Sequence, residues 1–256
     1  MRAVAGLHSN RGAKRAREAR RDLGLPPDTP LDCVLTEVEE RAQVPTVFLA
    51  LDGEIAGWYL PNPLIFLNGD QPAVRLRFTL AHELGHHWMK HGRMVDSVES
   101  LNNGRDPKEV EANAFAAEFL TPKVAVTRFM DEHGGGKPSL DLVVRLAWHF
   151  GISAKAALIR LHTADVLPTG ALYDRLDGEI DESLHLGLAQ AIGLTDKDDG
   201  VARAREHVPR VPSALGASPM AAFLAGKTDV AGLAGMVGCS VDEAQAAIDE
   251  LLIWGH

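Results

Sequence analysis

The chain is poor in aromatic residues, cysteines and long hydrophobic runs. Of its 256 residues, 5% are aromatic and two are cysteines, Cys33 and Cys239. These cysteines share no motif, so they predict free thiols in a reducing compartment and not a disulfide framework. No apolar run approaches the ~20 residues of a membrane-spanning helix, which argues against an integral membrane protein.

The first residues, MRAVAGLH, lack the apolar stretch of a secretory signal. With 46% hydrophobic and 24% charged residues, the composition is typical of a globular protein with one large domain or two small ones. We therefore expect a cytoplasmic protein.

Charge is distributed unevenly along the chain. Residues 1–24 carry seven Lys or Arg against two acidic residues, residues 163–256 carry six against 15, and the formal net charge is −9. Non-specific binding to duplex DNA depends on neutralising phosphates, so the acidic balance argues against DNA binding. The basic run from Arg11 to Arg21 is either a nucleic-acid-binding arm or a solvated helix face, and its charge pattern favours the second.

Composition and periodicity predict three regions: N-terminal helices in residues 1–45, a mixed region in 46–162 and an acidic helical region in 163–256. In the middle region, β-rich runs lie at 46–51, 54–60 and 64–68, helices are predicted at 73–90, 106–121, 139–150 and 154–162, and 92–105 reads as a loop. Asp52-Gly53 predicts a tight turn, hence a small antiparallel meander. We expect its last strand, 64–68, to be an edge strand that can pair with an extended peptide.

Two segments, 143–161 and 230–248, share Leu-Ala, Gly, Ser and Ala at matching offsets. Each has the form of a helix-turn-helix unit. They are either DNA-contacting units or ordinary packed helix pairs joined by a Gly-Ser turn, and the second reading is favoured.

The strongest chemical signal is the HExxH motif His82-Glu83-Leu84-Gly85-His86. Residues four apart on a helix are separated by ~40° around its axis, so both imidazoles face one ion. Glu83 lies about 100° round from His82, near enough to accept a proton from a metal-bound water. The motif predicts a metal site with His82 and His86 as ligands and Glu83 as the catalytic base.

A catalytic zinc requires a third protein ligand. The extended form HExxHxxGxxH is excluded, because Met89 and Gly92 occupy the positions of its glycine and its third histidine. In the helix that follows, Glu109 lies near the centre of the apolar face, whereas Glu111 and Glu118 lie on the opposite side. A carboxylate on an apolar face needs a partner such as a metal ion, which favours Glu109 as the ligand.

An alternative remains for Glu109. The segment Asp106-Pro107-Lys108-Glu109 has the form of a capping box, in which the glutamate folds back onto the chain. Asn113 lies one turn after Glu109 and is placed to hydrogen-bond a ligand.

Other polar residues carry weaker signals. If the helix that carries His82 continues to residue 91, His87 and His91 point away from the metal face, and both are interpreted as structural or surface groups. His149 and His162 are interpreted in the same way. Tyr59 and Arg77 are candidates for the group that stabilises an oxyanion.

These residues resemble the ImmA/IrrE family of zinc metallopeptidases. The resemblance lies in Arg77 to His86 and in Glu109 to Pro122, and it extends over about residues 46–162. One departure is Thr121, where the family usually has methionine; we expect no effect on the chemistry.

The resemblance implies one Zn²⁺ per chain bound by His82, His86 and Glu109, with Glu83 as general base. It also implies proteolysis of a helix-turn-helix transcriptional repressor in a stress or mobile-element response. The expected fold class is α+β: a mainly helical zincin-like domain with a small antiparallel sheet, followed by an all-helical region.

A DNA- or partner-binding regulatory protein with a structural zinc site is the alternative. The acidic net charge and the presence of Glu83 count against it. We expect a protein substrate and no membrane association.

Overall fold

Helices form most of the chain and surround a four-stranded sheet. The computed structural model describes residues 2–50, 55–61, 63–92, 94–97, 106–133, 138–194, 200–216, 218–237 and 240–252. The strands are β1 (Thr46–Leu49), β2 (Ile55–Leu60), β3 (Leu64–Asn68) and β4 (Met94–Ser97). The expected α+β class is confirmed.

The first seven helices contain the elements that build the candidate site. They are α1 (Arg2–Asp22), α2 (Val34–Thr36, continued by a π-helical turn Glu37–Arg41), α3 (Ala73–Met89), α4 (Pro107–Leu120), α5 (Lys123–His133), α6 (Leu140–Phe150) and α7 (Ala154–Thr163). The later helices are α8 (Ala171–Asp181), α9 (Leu184–Ala191), α10 (Gly200–Arg205), α11 (Pro219–Leu224), α12 (Val230–Val237) and α13 (Val241–Leu252), with a 3₁₀ turn at Ser213–Leu215.

Local sequence signals set the ends of the two helices that matter most. At the end of α3, Lys90 adopts a left-handed conformation (φ 56°), and its N–H bonds the carbonyls of His86 and His87. At the start of α4, the Asp106 side chain accepts a hydrogen bond from the Lys108 N–H, and Pro107 occupies the first turn.

The sheet is mixed, with strand order β1-β3-β2-β4. β3 pairs with β1 in parallel and with β2 antiparallel, and β2 also pairs antiparallel with β4. Two expectations are therefore wrong: the sheet is not a purely antiparallel meander, and Leu64–Asn68 is an inner strand. β2 and β3 pair as an antiparallel hairpin, and β1 pairs with the other side of β3. The turn expected at Asp52-Gly53 lies outside the described residues.

The two ends of the sheet differ. The outer side of β1 pairs with Arg210 through two backbone hydrogen bonds of 2.9 Å to Phe48. In the described part of the chain, β4 has no further strand beside it. β4 lies in the stretch that was expected to be a loop, and it provides the open edge.

Alternating side chains give the sheet two apolar faces. One face, which includes Phe48, Tyr59, Ile65 and Leu67, joins the main helical core. The other face includes Trp58 and Phe66, whose rings stack 4.5 Å apart. This second face is covered by the partly buried side chains of Val211, Leu215 and Leu224.

Helix α1 packs along α4. Ala16 and Ala19 are fully buried, and a Cβ added at Gly12 would lie 2.1 Å from the carbonyl oxygen of Glu111. Small residues therefore let the two backbones approach closely. The buried guanidinium of Arg20 donates to the Phe119 carbonyl at 2.6 Å and so ties the two helices together.

The apolar core continues past the predicted boundary at residue 163. Leu167, Leu176 and Val201 belong to the same buried cluster as the helices of the middle region. Lys155 of α7 also forms ion pairs with Asp177 and Asp181 of α8. The division into residues 1–45, 46–162 and 163–256 stays a prediction.

Helices α6 and α7 have the geometry of a helix-turn-helix pair. They are bent by 100° at a turn that contains Gly151 in a left-handed conformation (φ 64°). Within the described ranges, no single helix has the length and apolar character needed to cross a membrane. Helices α6 and α7 reach that length and apolar character only when the two are counted together.

Candidate metal centre

Three buried side chains from α3 and α4 converge at one point. The Nε2 atoms of His82 and His86 lie 2.9 Å apart. The Glu109 carboxylate lies 3.4 Å from His82 Nε2 and 3.6 Å from His86 Nε2. One potential ligand atom from each residue lies within 4.8 Å of those of the other two, so a single ion would reach all three.

The positions of these groups follow from helix geometry. His82 and His86 are one turn apart on α3, and Glu109 lies in the first turn of α4. Asp106 caps α4 through the Lys108 N–H at 2.7 Å. The Glu109 carboxylate lies against the histidines, so the capping of α4 and the placement of Glu109 are separate features.

Asn113 contacts the first histidine. Its Oδ1 lies 3.0 Å from His82 Nδ1. An amide oxygen only accepts hydrogen bonds, so this contact places the imidazole proton on Nδ1 and leaves the Nε2 lone pair directed at Glu109 and His86.

Glu83 lies on the side of α3 that faces the sheet. Its Oε1 is 3.0 Å from the position that a Cβ would occupy on Gly57 of β2, and the residue is fully buried. The same Cβ would meet Thr79 Cγ2 at 2.9 Å. Glycine at this position leaves space for the Glu83 carboxylate between α3 and β2.

His91 lies close to the cluster, contrary to its interpretation as a group pointing away. Its Nδ1 is 2.8 Å from His86 Nδ1, and its Nε2 is 3.2 Å from Glu111 Oε2. The projection along the helix was wrong because α3 ends before His91. The left-handed Lys90 turns the chain back, and the His91 N–H bonds the His86 carbonyl at 3.0 Å.

Glu111 faces away from Glu109 but is not solvated. Its side chain is 3% exposed and accepts contacts from His8 Nδ1 at 2.6 Å and from Arg11 at 3.1 Å. Burial by itself raises the pKa of Glu111, but hydrogen bonds from His8 and His91 and the charge of Arg11 outweigh it, so the pKa is lowered. Burial lowers the pKa of His91, against the opposing effect of Glu111.

The two candidates for oxyanion stabilisation have other contacts. Arg77 is buried and donates to the carbonyls of Leu31, Phe150 and Gly151, so it joins α3 to the end of α6. Tyr59 Oη lies 3.1 Å from His87 Nδ1, and burial raises the pKa of Tyr59. These contacts give Arg77 a structural role, and oxyanion stabilisation by Tyr59 stays a prediction.

Two later histidines lie in packing environments. The His149 ring lies 5.1 Å from the ring of Phe129, measured between centroids. His162 Nδ1 lies 3.0 Å from the Leu167 carbonyl. Neither belongs to the group that could hold a metal.

Sequence reasoning missed the link through His91, Glu111, His8 and Arg11. The sequence carries only a partial signal: Glu111 and Glu118 lie on the face of α4 opposite the apolar arc, and their burial is seen in the structure. Two buried acids need positively charged partners, and the basic helix in residues 2–22 is the richest source of them. Arg17 pairs with Glu118 at 3.2 Å, as Arg11 pairs with Glu111.

The donor set fits a divalent transition metal. Two imidazole nitrogens and one carboxylate are ligands typical of a catalytic zinc site, which leaves one position for water or substrate. The Asn113 and His91 contacts are hydrogen bonds at the second nitrogen of each imidazole, a feature of metal-binding histidines.

The helical architecture, the HExxH helix and the buried donor set are those of a zincin-like domain. Residues 39–162 match the peptidase family described as the IrrE N-terminal-like domain, and this segment belongs to that family. The resemblance seen in the sequence is thereby confirmed. Family membership supports a metallopeptidase-type function. No curated protein matches the chain significantly.

Proposed function

We propose that the protein is a zinc-dependent endopeptidase that cleaves a helix-turn-helix transcriptional repressor and so relieves repression. The observation that carries the hydrolytic part is the buried convergence of His82, His86 and Glu109, with the buried Glu83 next to His82 in the chain. The substrate part rests on the resemblance to the ImmA/IrrE family.

In this proposal, zinc supplies Lewis-acid polarisation and lowers the pKa of water. The chain supplies the positioning and the proton transfers. His82, His86 and Glu109 are the ligands, and the Asn113 oxygen keeps the His82 proton on Nδ1. Glu83 accepts the proton of the attacking water and passes it to the leaving amine, as a general base and then a general acid.

The open edge of the sheet is our proposed binding surface for the scissile segment. An extended peptide can add to an edge strand through main-chain hydrogen bonds. β4 is paired only on its β2 side among the described residues, and β2 carries Gly57, where an added Cβ would lie 3.0 Å from Glu83 Oε1. β4 therefore takes the role first expected of Leu64–Asn68.

The DNA-binding alternative receives little support from the basic helix. Arg20 is 2% exposed and bonds backbone carbonyls, while Arg11 and Arg17 pair with Glu111 and Glu118. These arginines neutralise buried acids of α4, so part of the charge of the basic run is already compensated within the fold. In α7, Arg160 is likewise buried and bonded to Glu118.

The deciding experiment compares the wild-type chain with Glu83→Gln. Each zinc-loaded protein is incubated with the repressor encoded beside its gene, with and without a chelator, and the products are resolved by mass. We expect the wild type to cleave and the chelator to stop cleavage. Glutamine cannot take the proton, so Glu83→Gln should keep one zinc per chain and lose hydrolysis.

Two results would contradict the proposal. Cleavage by Glu83→Gln at the wild-type rate would assign the base to another group. Binding of zinc by the wild type without cleavage of the repressor, together with salt-dependent DNA binding, would favour the regulatory alternative.

A further inference from the structure

We propose that helix α1, outside the segment that matches the family, holds His86 in its metal-binding orientation through Glu111 and His91. Glu111, His91 and the α1 residues that contact Glu111 would be positioning residues of the metal site. The inference rests on the proposed metal centre.

The first link joins His86 to His91. When His86 binds a metal through Nε2, its Nδ1 carries the proton and donates to His91 Nδ1, 2.8 Å away. His91 then carries its own proton on Nε2, which donates to Glu111 Oε2 at 3.2 Å. Each donor thus meets an acceptor, and the chain of hydrogen bonds has one consistent direction. The side chains of His86 and His91 are both buried, and His86 is fully buried.

The second link joins Glu111 to α1. Its Oε1 lies 2.6 Å from His8 Nδ1 and 3.1 Å from an Arg11 nitrogen. The Glu111 side chain is 3% exposed, so these groups supply the positive charge and hydrogen bonds that a buried carboxylate needs. The approach of Gly12 to the Glu111 backbone keeps α1 at this distance.

The two ligand histidines are consequently held from different parts of the chain. Asn113, on the same helix as Glu109, contacts His82. His86 is held by His91, and His91 depends on a carboxylate whose other partners are on α1. Outer partners of ligand histidines fix the ring orientation, and their removal typically costs ~10- to 100-fold in metal affinity or activity.

The test measures zinc affinity by competition with a chelating dye, together with the visible absorption spectrum of the cobalt-loaded protein. The variants are His91→Phe, which keeps a ring without hydrogen-bonding groups, His91→Gln, which keeps an acceptor and a donor, and the double variant His8→Ala, Arg11→Ala. Arg15→Ala is the matched control, since Arg15 lies on α1 and, among the described residues, its ion pair is local, with Glu18 at 2.7 Å.

We expect His91→Phe to weaken zinc binding by ~10- to 100-fold and to change the cobalt spectrum. His91→Gln should recover part of the loss. The double variant should weaken zinc binding by about 3- to 10-fold, because it acts one hydrogen bond further out, while Arg15→Ala should match the wild type. These readouts do not require a substrate.

The outcomes separate this inference from the proposed function. If the wild type binds zinc and His91→Phe binds it equally well with an unchanged cobalt spectrum, the inference is overturned and the metal site stands. A double variant that behaves like Arg15→Ala would overturn the role of α1. Failure of the wild type itself to bind zinc or cobalt would overturn the proposed metallopeptidase and the inference together.

Discussion

The contact between α1 and α4 makes a quantitative prediction for two glycines of the same helix. A Cβ at Gly12 would lie 2.1 Å from the Glu111 carbonyl oxygen, whereas ordinary contact begins at 3.4 Å. Gly12→Ala therefore requires the helices to separate by about 1.3 Å, given those two distances. At Gly6, no heavy atom lies within 4 Å of the added Cβ. The pair thus compares the same chemical change with and without a steric conflict.

The expected energies have opposite signs. Replacing glycine by alanine inside a helix stabilises it by roughly 0.5–1 kcal/mol, which is the whole effect at Gly6. Overpacking costs ~1–3 kcal/mol, so at Gly12 we expect a net loss of up to about 2 kcal/mol. The gain in helix propensity is common to both variants, so they should differ by the overpacking cost, about 1–3 kcal/mol in free energy of unfolding, or about 2–12 °C in Tm for a chain of this size.

Thermal unfolding followed by circular dichroism would measure this difference. The Gly12→Ala protein should also bind zinc more weakly than Gly6→Ala, because separation of α1 withdraws His8 and Arg11 from Glu111. Equal stabilisation by both substitutions would refute the close approach of the two helices.

Three further predictions concern the candidate site. Gly57→Ala would place a methyl group 2.8 Å from the Phe66 carbonyl oxygen and 3.0 Å from Glu83 Oε1, so both β2 and Glu83 must shift, and hydrolysis should fall more than zinc content. An unchanged rate would show that Glu83 is not confined there. Asn113→Ala should weaken zinc binding by ~10-fold in dye competition, and unaltered affinity would remove Asn113 from the site. Val95→Pro and Asp96→Pro each remove one backbone amide of β4, and these two amides point in opposite directions. Only the amide on the open edge can bond a peptide, so the two substitutions should lower repressor cleavage unequally while zinc content is preserved. Equal effects would argue against edge binding.

Features governed by helix periodicity could be predicted from the sequence. The spacing of His82 and His86 places both on one face whatever packs against it, because the rise and rotation per residue are constant. The same argument separates Glu109 from Glu111 on α4. Capping residues such as Asp106 act within one turn, so helix ends were also accessible to local reasoning.

The order of the strands could not be predicted in this way. β1 and β2 are consecutive in the chain, yet β3 lies between β1 and β2 in the sheet. Alternating hydrophobicity shows which residues form a strand, but the choice of neighbour depends on pairing across the fold. The sequence pattern alone did not distinguish an inner β3 from an edge strand.

The surroundings of the metal ligands needed the tertiary structure for a related reason. Helix periodicity shows that Glu111 faces away from Glu109, but it does not show that α1 covers that side with His8 and Arg11. Helix periodicity does not apply to His91, since the left-handed Lys90 ends α3 before that residue. The sequence by itself predicted the donor set and determined the helix faces on which its members lie, because these faces depend on regular local geometry. The tertiary structure decided what holds the donors in place, because those contacts join separate elements: Asn113 reaches His82 from 31 positions away, and His8 and Arg11 reach Glu111 from about 100 positions away.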